Sequence, residues 1–176
     1  LFVLDQQDDP LDNLPAALEH LGIGGDRVSG YFKREMLACH AYPENTFPLP
    51  FAYADGKVPA VLREERPNTL FWAGHREFAL RRLYLERIEQ AFGLRLDRKY
   101  TQREYVEALD TSQIGLNIFG FGFDTVRYWE VPAHGCMLLS ERLPIRIPDN
   151  FRDGESAVFF DDLEELEAKL AHYSAF

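Results

Sequence analysis

The hydrophobic positions of the first 60 residues predict a strand, a helix and a further strand, followed by an irregular stretch. Leu1–Leu4 has the apolar run of a buried strand, and DNLPAALEHLG has the spacing of a short helix closed by Gly22. Arg27–Glu35 is predicted as a second strand. Pro43, Pro48, Pro50 and Pro59 then follow within a short distance, and prolines at this density interrupt both helices and sheets. We therefore predict a linker between domains here.

From residue 61 onwards the pattern becomes regular. Thr69–Gly74 (TLFWAG) is an apolar run that ends in glycine, and HREFALRRLYLERIEQAFG repeats apolar residues at helical spacing. Thr101 and Glu104 form the T-x-x-E capping box that begins a helix. Three more apolar runs are predicted strands and the final segment is an amphipathic helix: SQIGLNIFG, CMLLS, SAVFF and DDLEELEAKLAHY. Strands that alternate with helices predict an α/β fold, a parallel sheet with helices on both faces.

Composition and charge exclude several classes of function. The chain of 176 residues is 46% apolar and 27% charged, which is typical of a folded domain. Its net charge of −10 argues against nucleic acid as a partner. No apolar run approaches the roughly 20 residues that span a bilayer, and the amino-terminal run lacks the basic leader of a signal peptide. Cys39 and Cys136 show no metal-binding spacing, so we expect no zinc site, no disulfide and a cytoplasmic location.

Ligands of parallel sheets bind beyond the carboxyl ends of the strands, so the residues after each predicted strand are the first candidates. Gly74, His75 and Arg76 follow TLFWA. The glycine permits a sharp turn, and the start of the following helix together with Arg76 would favour an anion. A simple turn with a surface arginine explains the same residues, because the full dinucleotide fingerprint is absent.

The stretch GFGFDTVRYWEVPAHG, residues 120–135, is the second candidate. Gly120 and Gly122 would let the backbone approach a ligand, and Asp124 is predicted as the N-cap of the next helix. Arg127 could pair with phosphate oxygens, and Glu130 could accept hydrogen bonds from sugar hydroxyls. The alternative is an Arg127–Glu130 ion pair on a solvated helix face.

Other catalytic motifs are missing from the sequence. The five histidines show no H-E-x-x-H spacing, which argues against a metal site. Neither the G-x-S-x-G elbow of α/β-hydrolases nor the G-x-x-x-x-G-K-[ST] loop of P-loop enzymes occurs.

The region from Asn68 to Leu170 resembles the carboxyl-terminal domain of GT-B glycosyltransferases, especially the CgeB-like or family-1-like branch. The residues that carry the resemblance are a strand, a glycine-rich turn, an R-x-x-E pair (Arg127, Glu130), Ala133-His134-Gly135 and the buried run CMLLS. The closing F-x-D-G-E and F-x-D-x-x-E-L patterns agree as well, with members Phe151, Asp153, Gly154, Glu155, Phe160, Asp162, Glu165 and Leu166. Many retaining members carry an acid where this chain has Gly122, and Pro132 predicts a short or bent helix.

The resemblance implies a nucleotide-sugar donor held by a Rossmann-like domain. Glu130 would hold the ribose, the backbone from Gly120 to Thr125, including Phe121, would lie against the diphosphate, and Arg76 or Arg127 would neutralise it. Arg127 and Glu130 would be the catalytic residues. No metal and no other cofactor would be needed, since positioned cations and helix amides stabilise the leaving group. The acceptor would be a glycan, a lipid or a protein.

The resemblance also implies a division of the chain. Residues 1–60 would be the end of an amino-terminal acceptor domain with its linker, and residues 61–176 the donor domain, so the chain would be a fragment or a reduced form of a GT-B enzyme. A non-catalytic α/β module for nucleotide binding or protein interaction is the alternative function.

Overall fold

The computed structural model describes residues 1–174, without the side chain of Ala79. These residues form two compact units that interleave along the chain. The first unit consists of Leu1–Phe51, Gly122–Asp124 and Leu143–Asn150. The second unit consists of Ala52–Phe121, Thr125–Arg142 and Phe151–Phe176. The assignment of residues 1–60 to an acceptor domain and its linker stays a prediction.

Strands and helices alternate along most of the chain. In order they are β1 (Phe2–Asp5), α1 (Leu14–Leu21), β2 (Gly30–Lys33), β3 (Thr46–Pro48), β4 (Asn68–Phe71), α2 (Ala79–Phe92), α3 (Gln102–Asp110), β5 (Ser112–Asn117), α4 (Val126–Ala133), β6 (Met137–Glu141), β7 (Val158–Phe160) and α5 (Leu163–Tyr173).

The first unit is built on a three-stranded parallel sheet in the order β1-β2-β3. Helix α1 covers one face through Leu14 and Leu18, which pack with Val28 and Tyr31. The helix ends at Gly22, whose φ of 64° is the left-handed conformation that glycine adopts at helix ends. The predicted end of this helix is therefore confirmed.

Strand β3 corrects the expectation that the proline-rich stretch breaks every sheet. Residues Thr46–Pro48 pair with β2 in parallel register, with Pro48 opposite Lys33. The strand lies at the edge of the sheet, where a proline without an N–H group removes no ladder hydrogen bond on the outer side. Proline density therefore limited β3 to three residues but did not prevent it.

The second unit is built on a four-stranded parallel sheet in the order β4-β5-β6-β7. Helices α2 and α5 cover one face, where their apolar residues join those of the strands in the main core. Helices α3 and α4 contact the strands on the other face, where Phe71 meets Tyr105 and Tyr128 meets Phe159. The predicted α/β, Rossmann-like arrangement with helices on both sides of a parallel sheet is confirmed.

Two predicted helix starts had different outcomes. The capping box is confirmed, because Thr101 and Glu104 exchange both of its hydrogen bonds at the start of α3. The prediction that Asp124 caps α4 is wrong, because the helix has Thr125 at its N-cap. Asp124 instead accepts a hydrogen bond from the backbone N–H of Phe51.

Helix α4 is short and lies close to the sheet. It has eight residues and ends directly after Pro132, as the proline predicted. A Cβ atom at Gly115 of β5 would lie 2.5 Å from both Cγ atoms of Val131, so the contact between helix and strand requires glycine. This close contact sets the distance between α4 and the sheet.

No helix within residues 1–174 combines the length and the apolar character that crossing a membrane requires.

Candidate functional site

The carboxyl ends of β4, β5, β6 and β7 form one edge of the second unit's sheet, which we call the carboxyl edge. Two arginines and a tryptophan lie there: Trp72 follows β4, Arg81 comes from the first turn of α2, and Arg127 comes from the first turn of α4. Ligands of parallel sheets bind at such an edge, so these side chains are candidates for ligand binding.

Arg81 is buried and ties two loops together. It is 5% exposed and donates to the carbonyl oxygen of His75 at 2.9 Å and to that of Ile118 at 2.8 Å. Burial, and then the charge of Arg127, lower the pKa of Arg81 to about 10. Its Nε atom is buried and lacks a hydrogen-bond partner among the residues described. Arg81 therefore carries a charge that the protein compensates incompletely.

Arg127 also has buried nitrogens without a hydrogen-bond partner among the described residues. Its Nη2 donates to the carbonyl oxygen of Ala73, whereas its Nε and Nη1 are buried without a hydrogen-bond partner in the described part of the chain. Burial lowers the pKa of Arg127, which Tyr105 and Glu130 partly oppose. An unpaired buried donor costs about 1–3 kcal/mol, and more when it is charged. An acceptor that reached both nitrogens would recover this free energy.

Gly74 lies between the two guanidinium groups. A Cβ atom there would be 3.0 Å from Nη2 of Arg127 and 3.6 Å from Nη1 of Arg81. Trp72 adds a further donor, because its buried Nε1 has no hydrogen-bond partner within residues 1–174. Gly74 itself is exposed, so solvent reaches the backbone beside this cluster. Four unpaired N–H groups and two positive charges next to an open glycine suit an anion with several oxygens.

Gly120 also approaches this cluster closely. A Cβ atom at Gly120 would lie 2.7 Å from Nη2 of Arg81, so a larger residue would displace the guanidinium. Phe121, the next residue, is 80% exposed. The structure therefore brings three of the sequence-predicted residues, Gly74, Gly120 and Arg127, around Arg81, which the sequence analysis did not select.

The start of α4 is fixed from β5. Asn117 is fully buried, accepts a hydrogen bond from Thr125 Oγ1 at 2.6 Å and donates to Ser140 Oγ at 3.0 Å. Thr125, the N-cap residue, directs its hydroxyl to Asn117 and makes no capping hydrogen bond to α4 with its side chain. The amino end of α4 keeps the partial positive charge of a helix dipole.

Glu130 lies one turn after Arg127 and is held by Tyr105. The Tyr105 hydroxyl donates to Glu130 Oε2 at 2.5 Å. Burial, followed by the Glu130 carboxylate, raises the pKa of the Tyr105 hydroxyl, so it stays protonated as the donor. Glu130 is half-buried, with a fixed orientation that suits hydrogen bonds to a hydroxylated ligand.

Glu141 is the acid of the carboxyl edge. It ends β6, is 8% exposed, and accepts the backbone N–H of Phe119 at 3.0 Å. Burial raises the pKa of Glu141, while that hydrogen bond and the Arg81 charge oppose the shift. Each arginine of the carboxyl edge thus has a carboxylate near it, Glu141 near Arg81 and Glu130 near Arg127.

Arg76 and His75 have other surroundings. Arg76 forms a bidentate pair with Glu89 of α2, with nitrogen–oxygen distances of 2.9 and 2.8 Å. Glu89 raises the pKa of Arg76, and the pair links the loop after β4 to the second half of the helix. His75 is highly exposed and lies 3.7 Å from Glu77. Arg76 is thus paired with a carboxylate of the protein, and the His75 side chain lies in solvent.

The remaining predicted residues, Gly122 and Asp124, belong to the first unit. The backbone N–H of Asp124 and that of Phe123 both donate to the carboxylate of Glu35, at 2.9 Å each. Asp124 is 3% exposed. These two loop amides, expected to face a diphosphate, have a protein acceptor here.

His134 lies at the other end of α4. It hydrogen bonds to Asp110 through Nδ1 at 2.6 Å and to the Tyr53 hydroxyl through Nε2 at 2.9 Å. Arg66 donates to its carbonyl oxygen at 2.7 Å and to that of Ser112 at 2.9 Å. This network joins α3, α4 and the residues before β4 at the amino ends of the strands, so it stabilises the fold away from the carboxyl edge.

No group of three or more His, Cys, Asp or Glu side chains within the described residues could hold a metal ion. Cys39 and Cys136 are both free thiols, the first exposed and the second buried.

Arg81 could have been found from the sequence. Leu85 and Ile88, four and seven residues after Arg81 on the same face of α2, are both fully buried in the core. A charged residue on the apolar face of a helix is buried only when it has a partner or a function.

A family model described as glycosyl transferase-like matches residues 73–175, more than half of the chain. No curated protein matches the sequence. The matched region begins one residue before Gly74 and contains both arginines of the carboxyl edge. The match supports glycosyl transfer as the general function, with a sugar donor and an acceptor as substrates. On this evidence the chain belongs to the glycosyl transferase-like family.

Proposed function

We propose that this chain binds the diphosphate of a nucleotide-sugar donor at the carboxyl edge of its second unit and acts as the donor-binding half of a GT-B glycosyltransferase. The observation that carries the proposal is the buried Arg81 and the half-buried Arg127, which have three buried guanidinium nitrogens without a partner beside the exposed Gly74. A diphosphate offers several acceptor oxygens and the opposite charge.

The proposed chemistry follows from the charge that develops during transfer. The bond between the sugar's anomeric carbon and the diphosphate oxygen breaks, and its electron pair stays on the diphosphate. An acceptor hydroxyl bonds to the anomeric carbon and releases its proton to solvent, so the products are the glycosylated acceptor, the nucleoside diphosphate and one proton. Arg81, Arg127 and the amino end of α4 are fixed positive groups for that leaving diphosphate. Since these groups supply the charge, the proposal requires no metal ion.

Glu130 is the proposed ribose ligand. Its carboxylate is on the same helix as Arg127, one turn further from the carboxyl edge, and Tyr105 fixes its orientation. A carboxylate accepts hydrogen bonds from vicinal hydroxyls. The ribose of a nucleotide carries such hydroxyls, whereas bare diphosphate does not.

Isothermal titration calorimetry with the diphosphates of uridine, guanosine, thymidine and adenosine, with their sugars and with pyrophosphate, tests the proposal. We expect one nucleotide to bind with an affinity that EDTA leaves unchanged. Arg127→Met should weaken the binding of nucleotide and of pyrophosphate alike. If no member of the panel binds the folded wild-type protein, donor binding is refuted and the non-catalytic α/β module takes its place.

A further inference from the structure

Glu35 is the most unusual residue of the first unit. It follows β2 with a φ of 59°, a left-handed conformation that non-glycine residues rarely adopt, and it is 1% exposed. A strained backbone and a buried carboxylate both cost free energy. Such a residue persists only where its contacts compensate.

Those contacts are two consecutive backbone amides. Glu35 Oε2 accepts the N–H of Phe123 and Oε1 accepts that of Asp124, each at 2.9 Å. Successive N–H groups that converge on one anion form the same kind of concave site that holds phosphates in other proteins. Both carboxylate oxygens are used, so the ionised form of Glu35 matches the two donors.

Gly122 is required for this geometry. A Cβ atom at Gly122 would lie 2.7 Å from Glu35 Oε1 and 3.1 Å from Asp8 Cγ. Any other residue would therefore push the carboxylate away from the amides. The second glycine of the glycine-rich stretch serves the Glu35 carboxylate inside the first unit.

We propose that Glu35 is a positioning residue for donor binding, whose carboxylate fixes Gly122–Asp124 so that α4, which begins with Thr125 as the next residue, starts in one conformation. The role in donor binding rests on the proposed function, whereas the fixation of the loop does not. Asp124 supports the same arrangement, because its carboxylate accepts the N–H of Phe51.

The charges around Glu35 make the fixation sensitive to pH. Burial raises the pKa of Glu35, the two amide hydrogen bonds lower it, and Asp124 and Arg34 act on it with opposite signs. Arg34 is itself paired with Asp8. A protonated carboxyl would direct an O–H group at one amide, so one of the two hydrogen bonds is lost as the pH falls through the raised pKa.

Amide hydrogen exchange at Phe123 and Asp124, measured by NMR without ligand, tests the fixation. Glu35→Gln should lower protection at one or both amides by about 10-fold or more, because a charge-assisted bond is lost. Gly122→Ala should do the same, and the exposed Glu44→Gln is the matched control. In wild type, protection of these amides should decrease as the pH is lowered, after correction for intrinsic exchange. In Glu35→Gln it should not depend on pH. Unchanged protection in both variants overturns the proposal.

Nucleotide titration of the same variants tests the role in donor binding. We expect Glu35→Gln to bind nucleotide more weakly than wild type, and Glu44→Gln to bind it as wild type does. A higher pH should restore binding in neither Glu35→Gln nor Gly122→Ala. If protection falls and affinity does not, Glu35 only stabilises the loop and its positioning role is refuted. If wild type binds no nucleotide, the proposed function fails while the exchange result still decides the fixation.

Discussion

Arg127 adds its charge to that of Arg81, and together with burial this lowers the pKa of Arg81 to about 10. Two arginines that disfavour each other are a cost to the folded protein, and the unpaired nitrogens of both side chains add to it. An anion that reached the unpaired nitrogens would offset part of this cost.

Replacement of either arginine should reduce anion affinity without loss of the fold. For Arg81→Met and Arg127→Met we expect pyrophosphate and nucleotide to bind about 10-fold to 100-fold more weakly, because each guanidinium supplies charge-assisted hydrogen bonds. Calorimetry measures the affinities. Arg82→Met is the matched control, since Arg82 lies beside Arg81 on α2 but is exposed and pairs with Glu86 on the surface of the helix. An equal loss in Arg82→Met would point to a general surface effect.

Replacement of Glu130 should separate the nucleoside from the diphosphate. In Glu130→Ala the nucleotide should lose about 1–3 kcal/mol of binding free energy, whereas pyrophosphate should bind as before. The comparison also distinguishes a binding site from a structural ion pair. If Glu130 had only a structural role, its replacement would change the unfolding transition and leave the affinities for nucleotide and for pyrophosphate as they are in wild type. Glu107→Ala on α3 is the control, because Glu107 pairs with Arg63 in solvent.

Replacement of Gly115 should destabilise the second unit. Gly115→Ala places a Cβ atom 2.5 Å from the methyl groups of Val131, so α4 must shift or the side chain must strain. We expect a loss of about 1–3 kcal/mol in the free energy of unfolding, measured with urea. Gly56→Ala is the control, since a Cβ atom there meets nothing within 4 Å. Equal stability of the two variants would contradict this account of the helix contact.

Stability should depend on pH through Glu141. Burial raises its pKa in the folded state, so the folded protein binds this proton more strongly than the unfolded chain. The contribution to stability is then present in full below the ordinary glutamate pKa and is lost as the pH rises through the raised value. We expect the unfolding free energy of wild type, relative to Glu141→Gln, to fall over that range. The reverse slope would show that Arg81 dominates over burial.

The sequence by itself determined the local elements and their class. Helical spacing, the Thr101–Glu104 capping box, Gly22 at the end of α1 and Pro132 near the end of α4 act within a few residues, so their effects could be predicted without the fold. The position of Gly74, Gly120 and Arg127 after predicted strands also followed from the sequence, because parallel strands end at a common edge.

Only the tertiary structure decided which groups are left unpaired. Arg76 and Arg127 both follow strands, yet a carboxylate from the far half of α2 occupies Arg76, whereas Arg127 keeps two buried donors without a partner. The amides at Phe123 and Asp124 were expected to face a ligand, but Glu35, 88 and 89 positions away along the chain, accepts both. Hydrogen bonds and burial join residues distant in sequence, so no local pattern contains them.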